Sequence, residues 1–422
     1  MKENEILDGA NERIQKYRTA NLAVEVVDKQ GDPLPDAQVE VRQTRHEFLF
    51  GCHLFGLERF AKKQRAAYEK HYAELLNYAS VPFCWADFEP QRGKPKHKEL
   101  NEYLEWCEAH NITVQGHLVV WNARSCSPAW LPEDPDEVVK LCDARVHDVV
   151  SYYKGRVKYY ILVNEPTDCF REEAPLHGFD TAMTRAWKHA GRIPFTERFF
   201  KIARKADPDA VLLINDYRVG KAYEEVLEQL VDERGRPIYD VLGLQSHMHS
   251  CYWGVDRIWD VLERYERFNK PLHWTENTQH SSRHRSEDYI RRMRGNDPNW
   301  KTTKIGEARQ AWEVAEFYTL IFSHPAVEAF TWFELYDYGW RGCAGGLLYA
   351  DSFSPKPAYE ALHNLIKGAW WTKAAAETNG KGRASVRAFY GDYAITASRG
   401  AAKKTVEYHH TKGAKSMVKI VL

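Results

Sequence analysis

Residues 159–166 read YYILVNEP, an apolar run that ends in Asn164-Glu165-Pro166. A run of this kind predicts a strand that is buried on both faces, which is typical of parallel sheets. Seven similar runs follow or precede it, separated by segments with helical spacing, at residues 48–50, 81–85, 113–120, 211–214, 241–244, 272–274 and 329–332. Eight strands alternating with eight helices predict an α/β protein with a closed (β/α)8 TIM barrel. A doubly wound open sheet is the alternative, but no G-x-G-x-x-G motif follows the first strand.

The segments on either side of the barrel predict a small accessory β-domain. Residues 22–26 and 39–41 alternate apolar and polar side chains around a turn at 31–33, which predicts a β-hairpin. Several short strand candidates recur after residue 384. Because an isolated hairpin is only marginally stable, we expect the strands of both ends to share one small β-sandwich. The predicted organisation is strands of the sandwich in 1–44, the catalytic barrel in 45–368 and further sandwich strands in 369–422.

Composition excludes several classes of protein. The 422 residues contain 59 basic and 59 acidic side chains, so no net charge attracts nucleic acid or an anionic membrane. No apolar run approaches the length that a bilayer requires. The charged first 13 residues predict no signal peptide in the given chain, so we expect a secreted or periplasmic protein if a leader was removed and a cytoplasmic one otherwise. The eight cysteines form no CxxC pair and are predicted to be unpaired thiols.

Polar side chains follow the predicted strands at their carboxyl ends, where TIM barrels carry their chemistry. Two of them are carboxylic acids, Glu165 after the fourth strand and Glu276 after the seventh. Two carboxyl groups that face each other across a cleft predict glycoside hydrolysis. Metal binding by His247-Met248-His249 is an alternative, but no acidic partner lies nearby in the sequence. No metal and no cofactor is therefore predicted.

Six of these strand-end motifs resemble glycoside hydrolase family 10, the retaining endo-β-1,4-xylanases. They occur in the order of the family and extend from about residue 50 to residue 362. The motifs are GHLVVW at 116–121, VNEP at 163–166, NDY at 215–217, DVLGLQSH at 240–247, TE at 275–276 and the segment from FTW at 330–332 to PKPAY at 355–359.

The resemblance implies roles for individual residues. Glu165 would be the general acid and then the base, and Glu276 would be the nucleophile that forms a glycosyl-enzyme. Asn164 would bond the 2-hydroxyl of the sugar, and His247 would hold Glu276. The residues expected to bind substrate are His117, Trp121, Asn122, Gln245, Tyr217, Trp332 and Trp340. The expected partner is a polysaccharide or oligosaccharide, xylan or a decorated relative of it; the oligomeric state is not predicted.

The sequence departs from the family at the end of the second barrel strand. Family members usually carry Glu-Asn and a Lys there, which bind sugars on the non-reducing side of the cut, whereas this chain has Ser80, Val81 and Cys84. Each lost hydrogen bond to a sugar costs about 0.5–1.5 kcal/mol. Two alternatives therefore stay open: a hydrolase of the same clan with another β-linked substrate, and a sugar-binding barrel without activity.

Overall fold

The segment before the barrel contains helices as well as strands. The computed structural model describes residues 3–57, 60–168, 180–248, 251–282, 300–339, 342–413 and 417–422. Helices α1 (Glu3–Asp8) and α2 (Ala10–Arg18) lead into strands β1 (Thr19–Val27) and β2 (Gln38–His46). The prediction of strands alone in 1–44 is corrected for this first part. Ile6, Ala10 and Ile14 recur at helical spacing and are buried, which explains the helices.

Eight parallel strands close into a barrel, which confirms the predicted architecture. They are β3 (Leu49–His53), β4 (Tyr78–Pro82), β5 (Thr113–His117), β6 (Tyr159–Asn164), β7 (Val211–Asp216), β8 (Val241–Leu244), β9 (Leu272–Asn277) and β10 (Val327–Trp332). The order around the ring is β10-β3-β4-β5-β6-β7-β8-β9. Each predicted apolar run coincides with one of these strands, although β4 begins three residues before the predicted start at residue 81.

Helices alternate with the barrel strands along the chain. They are α3 (Lys62–Leu75), α4 (Trp85–Phe88), α5 (His97–Ala109), α6 (Pro135–Tyr152), α7 (Ala182–Ala190), α8 (Arg192–Ala206), α9 (Lys221–Gln229), α10 (Gly254–Glu266), α11 (Lys304–Ser323) and α12 (Pro357–His363). A 3-10 turn spans Pro166–Asp168 and a π-helical turn spans Asn364–Ala369. The sequence encodes some starts directly, since Asp134 and Thr303 cap α6 and α11 with their side-chain oxygens. Within the described ranges, no helix combines the length and the apolar character that a bilayer crossing needs.

Five C-terminal strands complete a separate pair of sheets. They are β11 (Lys373–Glu377), β12 (Arg383–Phe389), β13 (Gly391–Arg399), β14 (Ala402–His410) and β15 (Met417–Val421). One sheet has the order β12-β1-β15 and the other has the order β11-β2-β13-β14. Apolar side chains of both sheets, among them Val24, Val39 and Ile395, form their own buried cluster. The N- and C-terminal strands therefore build additional sheets together, as the sequence predicts.

The predicted hairpin between β1 and β2 is wrong. The two strands lie in different sheets, and the turn at 31–33 carries the chain from one sheet to the other. The alternation of apolar side chains is correct for both strands, because each has one face on the shared core. A period-2 pattern specifies which face of a strand is buried, but it does not determine which other strand it pairs with.

The sandwich lies against the N-terminal end of the barrel. Arg18 at the end of α2 donates to the carbonyls of Phe322, His324 and Val327, which lie in the last turn of α11, just after that helix and at the start of β10. Arg45 donates in the same way to groups just before or at the start of β4 and β5. The carboxyl ends of the strands, where the candidate site lies, are at the opposite end of the barrel.

One disulfide corrects the expectation that all cysteines are unpaired thiols. It joins Cys84, just after β4, to Cys126 in the loop after β5. The two residues are 42 positions apart, and no spacing motif announces the pair. Because both loops follow carboxyl ends of barrel strands, the bond ties together two segments beside the candidate site.

We expect the double replacement Cys84→Ser and Cys126→Ser to lower the free energy of unfolding by about 2–4 kcal/mol. The cross-link restricts the unfolded chain, and its loss makes unfolding more favourable. Urea unfolding of the double variant measures this difference. Cys251→Ser is the matched control, since Cys251 is exposed and forms no disulfide. An unchanged unfolding midpoint in the double variant would contradict a stabilising bond.

Candidate active site

Two glutamates occupy the carboxyl ends of β6 and β9. Glu165 directly follows β6, and Glu276 is the penultimate residue of β9. They are 6% and 5% exposed. Glu165 has a φ of 52°, in the left-handed region that residues other than glycine rarely adopt, and its N–H donates to the carbonyl of Asn215. Rarely populated backbone conformations that surrounding contacts stabilise are found most often at functional sites.

Three side-chain amides connect the two carboxylates, and we call Asn164, Asn215 and Gln245 the amide bridge. Gln245 Nε2 donates to Glu165 Oε1 at 3.0 Å and to Asn164 Oδ1 at 3.3 Å. Asn215 Nδ2 lies 2.7 Å from both Asn164 Oδ1 and Glu276 Oε1 and donates to them. The bridge is continuous from one carboxylate to the other. The two acids predicted at separate strand ends therefore share one buried site.

Gly243 provides the space that Asn215 occupies. It lies in β8 and pairs with Asn215 of the neighbouring strand β7. A Cβ atom at Gly243 would lie 2.4 Å from Asn215 Oδ1, which is too close for any real contact. The same oxygen accepts a hydrogen bond from the Thr275 hydroxyl at 2.6 Å. The absence of a side chain at Gly243 thus allows Asn215 to aim its amino group at Glu276.

Burial raises the pKa of both carboxyls, but their neighbours act differently. Burial raises the pKa of Glu165 well above its usual range; the hydrogen bond from Gln245 opposes this, and nearby carboxylates raise the pKa further. Burial also raises the pKa of Glu276, and the hydrogen bond from Asn215 lowers it. Glu165 therefore keeps its proton to higher pH than Glu276. Such a split suits an acid and a nucleophile in one site.

The second oxygen of each carboxylate also has a partner. Trp121 Nε1 donates to Glu165 Oε2 at 3.1 Å. His247 Nε2 lies 3.1 Å from Glu276 Oε2, and the other ring nitrogen lies 3.1 Å from the Thr278 hydroxyl. His247 thus links Glu276 to Thr278, the residue that follows β9. Both carboxylates are oriented through both of their oxygens.

His117 and Tyr217 lie beside this centre. His117 ends β5, and burial lowers its pKa to about 3, so its ring is neutral at ordinary pH. Tyr217 donates its hydroxyl to Asp168 at 2.8 Å, and Arg218 donates to the same carboxylate. The backbone N–H and hydroxyl of Thr167 donate to the Asp216 carboxylate beside them. This second polar network holds the turn after Glu165, and the backbone N–H of Asp168 in that turn donates to the Glu165 carbonyl.

Two residues predicted to bind substrate are buried away from the cleft, and a third prediction falls outside the described residues. Asn122 is fully buried and donates to the Thr184 hydroxyl. Trp332 is also fully buried, and its indole N–H donates to the carbonyl of Gly345. Because neither side chain is accessible to a sugar, we do not include Asn122 or Trp332 among the proposed substrate-binding residues. Trp340 lies outside the described residues.

The three positions that depart from the family pattern lie where the sequence analysis expects them. Ser80 and Val81 are in β4 and are fully buried, and Cys84 follows the strand. Cys84 forms the disulfide with Cys126. None of the three side chains presents a charged or amide group to the cleft.

A metal-ligand geometry exists away from this site. Among the residues described, one group of three offers ligand atoms within 4.8 Å of one another: Glu263, Glu266 and His324. These residues lie on α10 and just after α11, at the end of the barrel that faces the sandwich. Of the alternative metal pair, His247 bonds Glu276, and His249 falls outside the described residues.

Two groups of functional candidates were not identified from the sequence. The sequence assigns Asn215 no role beyond the NDY motif, although its strand-end position after an apolar run marks it in the same way as Asn164. His53, Phe55 and Phe333 form contacts around the site that no local sequence signal announces. They come together only because β3 and β10 are neighbours in the closed barrel.

We expect Asn215→Leu to lower kcat roughly 10–100-fold, because buried acceptors on Glu276 and Asn164 lose their donor at a cost of about 1–3 kcal/mol. The pKa of Glu276 should also rise, since the bond that Asn215 donates favours the ionised carboxylate. The acidic limb of the kcat/KM profile should then move to higher pH. The matched control is Asn101→Leu on α5, outside the site. An unshifted acidic limb would show that Asn215 does not act on Glu276.

A sequence profile of glycosyl hydrolase family 10 matches residues 51–365, about three quarters of the chain. The chain belongs to glycosyl hydrolase family 10. The matched residues run from the middle of β3 to just after α12, and so include nearly all of the barrel. Both glutamates and the amide bridge lie within this range.

Individual relatives are distant from this chain. The anti-sigma-I factor RsgI6 of Acetivibrio thermocellus is 26% identical over 93% of the chain, which spans only 46% of the length of RsgI6. Endo-1,4-beta-xylanase B of Thermotoga neapolitana is 25% identical over 67% of the chain and 78% of its own length. The crystal structure of xylanase 10B of Thermotoga petrophila with xylobiose has a TM-score of 0.60, with 22% identity, over 76% of this chain and 95% of that one. The structural likeness shows a shared fold.

Proposed function

We propose that this protein hydrolyses β-1,4-linked xylan, or a decorated relative of it, with retention of configuration at the anomeric carbon. The observation that carries the proposal is the amide bridge, which joins Glu165 to Glu276 through a continuous set of hydrogen bonds. Retaining glycosidases use two carboxyl groups in one site, about 5–5.5 Å apart. The higher pKa of Glu165 assigns it the acid role and leaves Glu276 as the nucleophile.

The first step forms a covalent intermediate. A carboxylate oxygen of Glu276 attacks the anomeric carbon while the bond from that carbon to the departing oxygen breaks. Glu165 transfers its proton to the departing oxygen, so the leaving chain is released as an alcohol and the sugar remains as an ester of Glu276.

The second step restores both carboxyl groups. Glu165, now ionised, accepts a proton from a water molecule whose oxygen attacks the anomeric carbon. The ester bond to Glu276 breaks, and the sugar leaves with its original configuration. Two displacements at the same carbon therefore give net retention.

The amide bridge also orients a group for the sugar. Asn164 Oδ1 accepts hydrogen bonds from both Asn215 and Gln245, which fixes the orientation of the Asn164 amide. Among the described residues no acceptor is bonded to its amino group, which can donate to the 2-hydroxyl of the sugar being cut. Trp121 and His117 lie at the adjoining strand ends and complete the proposed sugar contacts.

Xylan is the first candidate substrate because relatives in family 10 are named endo-1,4-beta-xylanases and one solved relative contains xylobiose. A different β-linked glycan is the second candidate. It is favoured by the burial of Ser80 and Val81, which leaves no hydrogen-bonding side chain at the end of β4. A sugar-binding barrel without activity is the third candidate, and the oriented pair of carboxylates argues against it.

Proton NMR of a digest tests the function and its stereochemistry together. The purified protein is incubated with 4-nitrophenyl β-xyloside, xylan and β-1,4-glucan, and the first anomer that appears is recorded before mutarotation. We expect the β-anomer from the xyloside and from xylan. The α-anomer would contradict retention, and faster release of sugar from glucan would favour the second candidate. Tight binding of these glycans without any product would favour the third.

A further inference from the structure

Four aromatic side chains lie together at the carboxyl ends of β3, β5 and β10, and we call His53, Phe55, His117 and Phe333 the ring wall. The His53 ring centroid lies 4.4 Å from His117, 4.4 Å from Phe333 and 4.7 Å from Phe55. Phe55 and His117 are 5.9 Å apart. These separations are those of rings in direct contact. The ring wall is therefore a packed surface without a gap of the width of a sugar.

The ring wall covers the end of β4. In the barrel β4 lies between β3 and β5, so the contact between His53 and His117 crosses over it. Ser80 of β4 pairs with His53, and Ser80 and Val81 are both fully buried. A ligand in the cleft cannot reach either side chain. Two of the three positions at which the family resemblance places contacts to further non-reducing sugars are therefore closed in this protein, and the third, Cys84, is held in the disulfide with Cys126.

The ring wall begins next to the nucleophile. The Phe333 ring lies 5.0 Å from the ring of His247, and His247 bonds the Glu276 carboxylate. The amide bridge lies on the other side of Glu276, since Asn215 bonds the second oxygen of that carboxylate. A sugar under attack by Glu276 is thus bounded by amides on one side and by rings on the other.

The ring wall is also uncharged. Burial lowers the pKa of both His53 and His117 to about 3, so both rings are neutral at the pH where a glycosidase works. Phe55 and Phe333 are half-buried and keep part of their surface exposed. Neutral ring faces pack against the C–H face of a sugar and carry no positive charge that would attract a carboxylate. The chemistry of the wall suits the end of an uncharged chain.

We infer that the ring wall ends the sugar site after a single unit on the non-reducing side, so that the protein removes terminal sugars instead of cutting inside a chain. The inference rests on the proposed function and deepens it, because it names the position of the cut. The substrate class is a β-linked glycan with a free, uncharged non-reducing end.

Release of nitrophenol from two aryl glycosides tests the position of the cut. 4-Nitrophenyl β-xyloside needs one sugar before the cut, whereas direct release of nitrophenol from 4-nitrophenyl β-xylobioside needs two. We expect the xylobioside to give free xylose first and nitrophenol only after a lag. Immediate release of nitrophenol together with xylobiose would overturn the inference while it upheld the hydrolase.

A variant that opens the wall reverses the expected order of products. His53→Ala combined with Phe55→Ala removes the rings that cover β4 without a direct contact to Glu276. We expect direct release of nitrophenol from the xylobioside, relative to the xyloside, to rise about tenfold, the size of one new sugar contact. Phe268→Ala, a half-buried phenylalanine near the opposite end of the barrel, is the matched control and should leave this ratio unchanged. A ratio in the opened variant equal to that of the control would overturn the inference.

A binding measurement decides the inference even if no substrate is hydrolysed. Calorimetry with the unaltered protein compares two inhibitors whose cationic ring occupies the position of the sugar under attack: the xylose-configured isofagomine and its 4-O-β-xylosyl derivative, whose added sugar can lie only on the non-reducing side. An affinity of the derivative that is equal within about threefold or lower supports a site that ends after one sugar, because the added unit gains no contact. Binding of the derivative tenfold more tightly than the simple inhibitor would overturn the inference. Failure of the proposed function instead shows as absence of product from every glycoside by the unaltered protein.

Discussion

Glu276→Gln is expected to lower turnover of 4-nitrophenyl β-xyloside by more than about 10⁴-fold, the size of loss that follows removal of a catalytic nucleophile. The amide has nearly the shape of the carboxylate but lacks the electron pair and charge that form the glycosyl ester. Both steps of the reaction are lost, because neither the ester nor its hydrolysis remains. Steady-state kinetics with the purified variant measures the loss.

The same position allows a chemical test of the nucleophile. Glu276→Ala leaves a space in which azide can attack the anomeric carbon from the face that the carboxylate used. We expect azide to restore activity and to give the α-glycosyl azide. The matched control is Glu328→Gln, the second residue of β10, at the end of the barrel away from the site, which should keep full activity. Retention of more than a tenth of wild-type turnover by Glu276→Gln would remove this residue from the mechanism.

Glu165→Gln is expected to lower turnover of xylan by about 10²–10⁴-fold, because the departing alkoxide loses its proton donor. The loss should be much smaller for the first step with 2,4-dinitrophenyl β-xyloside, whose leaving group needs no proton. This dependence on the leaving group separates an acid from a residue that merely holds the fold. Comparison of the two substrates, with burst kinetics for the activated one, measures it.

The pH profile gives a second readout for Glu165. Burial raises the pKa of its carboxyl, and the acid role requires the protonated form, so activity should be lost as pH rises through that raised pKa. The basic limb of kcat/KM is therefore expected at higher pH than an exposed glutamate would give, and it should vanish in Glu165→Gln. Gln245→Met should move the basic limb to still higher pH, since the bond from Gln245 favours the ionised form. A basic limb that persists in Glu165→Gln would assign it to another group.

The barrel and its two acids could be predicted because each signal is local. A buried parallel strand is a continuous apolar run, as in residues 159–163. The polar residues Asn164-Glu165-Pro166 that follow this run mark the carboxyl end of the strand. Closure of eight such units then follows from their number and alternation. Predictions of this kind need only residues that are neighbours in the sequence.

The rest of the site depends on neighbours that only the closed barrel creates. The contact of Asn215 with Glu276 requires Gly243 on the adjacent strand to lack a side chain. Asn122 and Trp332 have the residue types of sugar-binding positions, yet helix and loop packing buries both. The disulfide between Cys84 and Cys126 and the exchange of sheets between β1 and β2 are likewise set by tertiary packing. No pattern within a short window carries that information.

The central place of β1 in its sheet has a consequence for the order in which the protein assembles. β1 is bonded on one side to β12 and on the other to β15, more than 350 residues later in the chain. During synthesis this early strand has no partner until the ribosome has finished the entire barrel. Both edges of β1 therefore remain unpaired until the C-terminal strands are made, and the sheet is complete only when β15 has paired with β1. Proteolytic loss of the C-terminal strands would reopen that edge of β1 and expose it to pairing with other chains.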